Sequence, residues 1–310
     1  MTPAVDLEWG PAVLTATTGL RHAIVHQPSA DTALWWIRPG VIDEPIGAPV
    51  AAHHHRILAG ASTARARFVT PEPYGDGLLY RTAAPLTAAF WHDAGPMVHD
   101  RLAAALTEVV HGLTGLHRHR VADPLAPAPG IIRLLRWLDG PHRAGHGDRL
   151  HSLAREIWGV AGLDRIRAWA RESCGGPGVL LHGNVSLASI LPSVSGDPLP
   201  VEILSGAELT SGDPAFDLGW LLGELTELAF VAGGLDRSRA PDLRTDPLAG
   251  PILRAAADLD PELVHRAVVL RIVTHMRDHA AAMPWDNELH KYTHLIGTLL
   301  AVAPGYPGTH

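Results

Sequence analysis

Two short segments in the second half of the chain concentrate side chains that could do chemistry. They lie at residues 180–191 and 212–219 and read LLHGNVSLASIL and GDPAFDLG. The first carries the imidazole of His182, the amide of Asn184 and the hydroxyl of Ser189, and the second carries the carboxylates of Asp213 and Asp217. Groups of these types can orient a reacting hydroxyl, hold a metal ion or brace a loop by hydrogen bonds.

The two segments together resemble the motifs of one family of small-molecule kinases. The first is similar to the catalytic loop of the aminoglycoside phosphotransferases, which typically reads L-x-H-G-D-x-x-x-x-N-I-L, and the second is similar to the helix start G-D-P-x-x-D-L-A of the same family. The pair at this separation is specific. The chain therefore resembles the aminoglycoside phosphotransferase and choline kinase family, whose members have a protein-kinase-like fold.

The residues that the resemblance assigns to phosphoryl transfer are replaced. This reaction needs a carboxylate that orients the attacking hydroxyl, oxygen ligands for Mg²⁺ and a cation on the phosphates. The resemblance implies that the carboxylate falls at Asn184, whose amide is not a base at neutral pH. It implies that the two metal ligands fall at Ser189 and Ser205, although Mg²⁺ prefers anionic oxygens. We expect the general base and both metal ligands to be missing.

The phosphate-binding cation is also changed. The resemblance implies a lysine on the third strand, but Lys291 is the only lysine in the chain. Arg38 is the nearest cation and is our candidate for this side of the nucleotide cleft, although arginine differs from lysine in bulk and geometry. These changes together predict a degenerate member of the family, a pseudokinase that is expected to use no cofactor.

The residues that brace the site are retained. The resemblance implies that His182 supports the catalytic loop from a buried, hydrogen-bonded position. It also implies that Asp217 holds the loop against the helix start, where Asp213 and Pro214 cap and begin the helix. We therefore expect the loop and the helix start to keep the structure of the family although the catalytic residues are replaced.

Three functions remain open. The first is a kinase-like module that binds a partner protein, a peptide or a small ligand. The second is an atypical phosphotransferase that uses ATP and Mg²⁺ on a hydroxyl of a small molecule or peptide, for example in a peptide natural-product pathway, with Glu202, Glu208 or Asp213 recruited to the metal. The third is an unrelated helical enzyme.

The order of predicted elements agrees with a two-lobed kinase. Short segments rich in Val, Ile, Trp and Thr predict a five-stranded antiparallel sheet, with one helix at residues 49–60 between the third and fourth strands. The predicted strands are residues 12–17, 20–26, 33–38, 66–70 and 77–82.

Helical periodicity dominates the rest of the chain. Helices are predicted at residues 97–117, 131–138, 149–173, 214–231, 252–258, 261–282 and 288–302, with short strands at 179–181, 189–191 and 201–204 and a surface loop at 241–251. We therefore predict an α+β, bilobal protein-kinase-like fold. Residues 1–85 form the sheet-bearing N-terminal lobe, and residues 86–310 form the helical C-terminal lobe, with a connector near residues 83–86.

Composition excludes several classes of function. A net charge of −7 and the lack of a basic stripe argue against nucleic-acid binding. The sequence has no apolar run of the ~20 residues that a membrane span needs, and its first residues lack a secretory pattern, so we expect a cytoplasmic protein without a membrane partner. The single cysteine, Cys174, cannot form a disulfide within the chain and is expected to be buried.

The other conspicuous residues have ordinary interpretations. The 20 histidines suggest metal sites, but no carboxylate or cysteine cluster completes one, so we expect solvated histidines and no metal. The candidates are His53, His54, His55, His117, His119, His142, His146 and His151. Most tryptophans lie in amphipathic patterns and are expected in the core. The acidic residues Glu224 and Glu227 are expected on a solvated helix face.

Overall fold

A computed structural model describes residues 12–17, 20–29, 31–40, 50–140, 145–193, 200–233 and 240–302. The strands are β1 (Leu14–Thr17), β2 (Arg21–Ser29), β3 (Thr32–Pro39), β4 (Ala66–Val69), β5 (Glu72–Tyr74), β6 (Gly77–Thr82), β7 (Arg120–Val121), β8 (Cys174–Leu181), β9 (Ile190–Pro192), β10 (Val201–Leu204) and β11 (Thr210–Gly212). The helices are α1 (Ala52–Ala61), α2 (Ala88–Asp93), α3 (His99–Leu116), α4 (Pro129–Asp139), α5 (Gly147–Glu172), α6 (Ala215–Ala232), α7 (Gly250–Ala256), α8 (Pro261–Ala282) and α9 (Glu288–Ala301).

The N-terminal part of the chain forms a five-stranded antiparallel sheet in the order β1-β2-β3-β6-β5. Since successive side chains of a strand point to opposite faces, neighbouring residues of β3 enter different clusters. Trp35 packs with Val25 and Tyr80 on the face that meets Leu204 of the second lobe. Trp36 packs with other residues on the opposite face. One face of the sheet is therefore set against the helical lobe.

Strand β4 is not part of that sheet. It pairs in parallel with β10, with Ala66 opposite Val201 and Val69 opposite Leu204. Phe68 of β4 and Leu58 of α1 belong to the same core as the residues of α3. The sequence correctly predicts a strand here but assigns it to the wrong sheet, where β5 takes its place. The segment from α1 to β4 thus ties the two lobes together.

The second lobe is built around the contact of α6 with α8, which run in the same direction. A Cβ atom on Gly219 would lie 2.6 Å from the Cβ atom of Ala267, and one on Gly223 would lie 2.7 Å from that of Arg271. These glycines allow the two helices to approach closely, and α6 is buried along most of its length. This packing fixes the start of α6 beneath the loop that follows β8.

Two predictions for the second lobe are wrong in part. Residues 241–251 are not a surface loop, because Leu243 and Leu248 are buried and α7 begins at Gly250. The long helix α5 is interrupted at Gly159, whose φ of 68° is left-handed. Helix α2 is not predicted by the sequence. In the part of the chain that the structure describes, no helix combines the length and the apolarity needed to cross a membrane.

Candidate functional site

The loop between β8 and β9 carries the first motif and passes close to the loop between β10 and β11. Gly183 has a φ of +85°, and a Cβ atom at this position would overlap the carbonyl oxygen of Glu208. Only glycine therefore fits here. This close approach places Asn184 and Glu208 on the lining of one cleft between the lobes.

Asp217, on the first turn of α6, braces this loop from below. One oxygen, Oδ2, accepts hydrogen bonds from the backbone N–H of His182 at 2.8 Å and from Nε2 of His117 at 2.9 Å. The other oxygen accepts from the N–H of Gly183 at 3.0 Å. Burial raises the pKa of Asp217, but the hydrogen bonds and the two imidazoles outweigh it and leave the pKa below its ordinary value. The carboxylate is ionised and holds the loop.

The imidazole of His182 links the same loop to β10. Its Nε2 donates to the carbonyl oxygen of Leu204 at 2.9 Å, so Nδ1 is the acceptor for the N–H of Asn184 at 3.4 Å. Burial lowers the pKa of His182, which keeps the ring neutral as this tautomer requires. The residue occupies a buried, hydrogen-bonded position of the kind that the sequence predicts.

Asn184 stands where the resemblance implies a catalytic aspartate. Its Oδ1 accepts a hydrogen bond from Nε1 of Trp220 at 3.0 Å. Since an indole nitrogen can only donate, the oxygen of the amide must face the tryptophan, and the Nδ2 group of this cleft-lining residue remains as a donor. The position offers the cleft a hydrogen-bond donor and no base.

The two serines at the implied metal positions are held by local bonds. Ser189 Oγ donates to the carbonyl oxygen of Ser186 at 2.8 Å and accepts from the N–H of Ser186 at 3.0 Å, which closes a capping box around a short 3₁₀ helix. Ser205 Oγ donates to the carbonyl oxygen of Ile203 at 3.1 Å and is buried. Both hydroxyls line the cleft, but both are used to stabilise their own loops.

The cleft is narrow and is crossed by an ion pair between the lobes. Arg21, at the start of β2, contacts the carboxylate of Glu208 through a guanidinium nitrogen. Ile37 and Tyr80 contribute the rest of the sheet side. Burial raises the pKa of Tyr80 to about 12, so its phenol is neutral. The remaining volume is about 80 Å³, well below the roughly 300–1,000 Å³ of typical ligand pockets.

Arg38, which the sequence suggests as the cation of the cleft, does not line the cleft. Arg38 donates from Nε to Oδ1 of Asp76 at 2.8 Å, and its guanidinium carbon lies 4.6 Å from the centre of the Trp36 ring. Ile37, its neighbour on β3, is the residue that faces the cleft. Because neighbours on a strand alternate faces, Arg38 lies on the other side of the sheet. The prediction that it lines the cleft is wrong, and Arg21 supplies the cation.

The connector between the lobes has its backbone groups engaged by the protein. Glu202 Oε2 accepts from the N–H of Ala83 at 2.7 Å and from that of Ala84 at 3.4 Å, and its other oxygen pairs with Arg67. The carbonyl oxygen of Ala84 accepts from Nε1 of Trp35 at 3.1 Å. Glu202 is therefore turned toward the connector and away from the cleft.

The other residues that the sequence suggests for chemistry do not form a second site among the described residues. Asp213 is exposed, and its Oδ1 accepts from the N–H of Ala215 at 2.8 Å, which caps the start of α6. Cys174 is buried, as predicted, and burial raises the pKa of its thiol. Of the described residues, no group of three or more His, Cys, Asp or Glu could hold a metal ion. His142 lies outside the described residues.

Glu224 and Glu227 are not on a solvated face. Glu224 accepts from the N–H of Leu187 at 2.7 Å, in the loop of residues 182–189 between β8 and β9, which we call the catalytic-like loop. Glu227 pairs with Arg271 at 3.0 Å and with His275 at 2.9 Å. The prediction failed because α6 is apolar on nearly every side, so its acidic residues also meet α8 and the loop. Glu224 therefore holds the loop from α6, two turns after Asp217, while Glu227 joins α6 to α8.

The sequence does not predict the roles that His117 and Arg21 have at this site. His117, expected to be solvated, has only 8% of its side chain exposed and binds Asp217. A signal for it exists, since His117 lies four residues after Leu113 and continues the apolar stripe of α3. Arg21 has no comparable signal, because its role depends on a contact with a residue of the other lobe.

Known proteins of the same architecture support the two-lobed interpretation. No protein-family model matches the sequence, and no curated protein is significantly similar to it. Among solved structures, that of aminoglycoside 2'-phosphotransferase-IIIa in its GDP complex aligns with a TM-score of 0.52 at 13% identity, over 96% of this chain and 94% of that one. The chain has the fold of an aminoglycoside phosphotransferase.

A second solved structure with a kinase fold also aligns with most of this chain. The microcompartment-associated aminopropanol kinase aligns with a TM-score of 0.50 at 13% identity, over 92% of this chain and 90% of that one. The predicted α+β, bilobal kinase-like fold is thereby confirmed. The third hypothesis, an unrelated helical enzyme, is wrong about the fold.

Proposed function

We propose that this kinase-fold protein is a catalytically impaired pseudokinase of the aminoglycoside-phosphotransferase type, which binds a partner protein, a peptide or a small ligand and transfers no phosphate. The observation that carries the proposal is that the polar groups at the catalytic positions are already bonded to other residues of the protein. Asn184 bonds to Trp220, Ser189 bonds within its own loop, and Glu208 pairs with Arg21. The cytoplasmic location expected from the sequence is part of the proposal.

The lack of a suitable base supports the proposal. An attacking hydroxyl needs an acceptor for its proton or a carboxylate that orients it. The amide at position 184 offers the cleft N–H groups, which are donors, and the nearby imidazole of His182 has its acceptor nitrogen turned toward the loop backbone. Neither group can take a proton from a substrate in the cleft.

The charges in the cleft also favour the proposal. Mg²⁺ needs hard oxygen ligands, most often carboxylates. Of the described residues that line the cleft, only Glu208 is acidic, and its charge is already offset by Arg21. A divalent cation placed there would be repelled by the guanidinium and would gain a single carboxylate.

The alternative, an atypical phosphotransferase, requires a carboxylate to move into the metal site. Glu202 is bonded to the connector and to Arg67, and Asp213 caps α6 at the surface. Moving Glu202 would leave the N–H groups of Ala83 and Ala84 without their acceptor, which typically costs about 1–3 kcal/mol for a buried group such as that of Ala84. The geometry therefore favours the pseudokinase over the enzyme.

Transfer of the γ-phosphate of ATP is the activity that separates the two functions. The protein is incubated with γ-labelled ATP, Mg²⁺ and a panel of small alcohols, amino alcohols and hydroxyl-bearing peptides. We expect no labelled product and no release of phosphate above the level of a heat-denatured sample. Labelled product that disappears in Asn184→Ala but persists in the surface variant Asp76→Asn would establish the phosphotransferase instead.

A further inference from the structure

The cleft holds one positive and one negative charge, supplied by different lobes. Arg21 comes from β2 and Glu208 from the loop between β10 and β11. The side chain of Arg21 is 30% exposed and that of Glu208 is 7% exposed, so the pair lies at the inner end of an opening to solvent. Arginine keeps its charge at any physiological pH. The pair is an ordered couple of opposite charges with access from outside.

Asn184, in the catalytic-like loop, contributes a polar side chain to the cleft. Its Oδ1 is fixed on Trp220, so its Nδ2 group presents N–H donors to the cleft. The guanidinium of Arg21 and this amide are both suited to an anion such as a carboxylate. Glu208 is suited to a cation. A matching ligand therefore carries a negative group and a positive group at once.

The volume of the cleft sets the size of that ligand. A buried water needs about 10–15 Å³ of volume on the same scale, so a cleft of about 80 Å³ holds roughly five to eight non-hydrogen atoms. A nucleotide has several times this number of atoms. The range includes the smallest α-amino acids, from glycine to serine.

We propose that the cleft binds a small zwitterion of the α-amino acid class, with its carboxylate on Arg21 and Asn184 and its ammonium group on Glu208. The inference rests on the proposed function, because it requires a cleft that holds no nucleotide. It specifies the ligand of that same site.

The existing ion pair favours a zwitterion over an ion of one sign. An anion alone would draw Arg21 away and leave the buried carboxylate of Glu208 without its partner, which is strongly unfavourable. A cation alone would do the same to Arg21. A zwitterion inserted between them replaces one ion pair with two, and no charge is left unpaired.

A ligand series on the unmodified protein tests the proposal by isothermal titration calorimetry. Glycine, alanine and serine are expected to give saturable binding, and acetate and methylammonium to bind at least about tenfold more weakly than glycine. Phenylalanine, which exceeds the volume, is expected to give no binding. Absence of saturable heat with all three small amino acids, or acetate binding as tightly as glycine, would overturn the proposal.

Matched variants locate the site. Arg21→Gln and Glu208→Gln are each expected to weaken glycine binding at least about tenfold, whereas Arg38→Gln, which removes an arginine from the opposite face of the sheet, is expected to leave it within about twofold. Equal weakening by Arg21→Gln and Arg38→Gln would contradict the assignment. Failure to bind amino acids refutes this inference alone, whereas transfer of phosphate from ATP refutes the proposed function. The ligand series needs no variant, so it decides the matter even where a variant does not fold.

Discussion

Asp217 is the residue on which the geometry of the catalytic-like loop depends most. It is fully buried and accepts three hydrogen bonds, two from the backbone of the loop and one from His117. A buried charge of this kind is stable only while its partners are present. Asp217 therefore holds the loop in one shape, although Asn184, within that loop, is not a base.

We expect Asp217→Asn to lower the free energy of unfolding by about 2–4 kcal/mol, because one acceptor oxygen becomes a donor that faces other donors. The measurement is urea denaturation followed by tryptophan fluorescence. Asp76→Asn is the control, since it removes an exposed carboxylate paired with Arg38 and should cost less than about 1 kcal/mol. Equal effects of the two substitutions would show that Asp217 does not brace the loop.

The sequence predicts the residues that brace the loop, His182 and Asp217, better than it predicts the cation that lines the cleft. His182 and Asp217 lie in motifs whose spacing is local, so their positions follow from the chain itself. The sequence predicts Arg38 as the cleft cation because it is the cation nearest the lysine implied on the third strand, but the face on which a strand residue lies depends on the register of the sheet. The pairing of Arg21 with Glu208 joins distant segments, and no local pattern encodes it.

Strand β4 is the element that distinguishes this arrangement from the predicted one. A segment rich in apolar residues can be recognised as a strand from its composition, but its composition does not identify its partner. β4 pairs with β10, which lies far along the chain, and α1 packs on α3. The number and kind of elements are therefore largely predictable, whereas the pairing of β4 depends on which surfaces remain to be buried.

Glu202, on β10, joins this interlobe ladder to the connector. We expect Glu202→Ala to lower the free energy of unfolding by about 1–3 kcal/mol, because the N–H groups of exposed Ala83 and buried Ala84 lose their acceptor. Hydrogen exchange of these two amides should accelerate relative to the wild-type protein. Glu72→Ala is the control, since it removes an exposed partner of Arg81. Unchanged exchange at both amides would contradict the bond.

The molecule as a whole has the fold of a kinase, while side chains of the protein narrow the cleft between its lobes. Both lobes contribute to one hydrophobic core through α1 and β4, and the sheet packs on strands of the second lobe. The ion pair of Arg21 and Glu208 crosses the remaining opening. We infer that this architecture is kept for binding, since phosphate transfer would need a cleft that admits a nucleotide with its metal.

The melting temperature of the protein with ATP, measured with and without Mg²⁺, tests most directly whether the cleft admits a nucleotide. A ligand at about 100 times its dissociation constant adds about 2.7 kcal/mol to the stability of the folded state and so raises its melting temperature. The narrow cleft, crossed by the ion pair of Arg21 and Glu208, predicts the same melting temperature with ATP, with ATP and Mg²⁺ together, and with neither. A rise that requires both ATP and Mg²⁺ would contradict it.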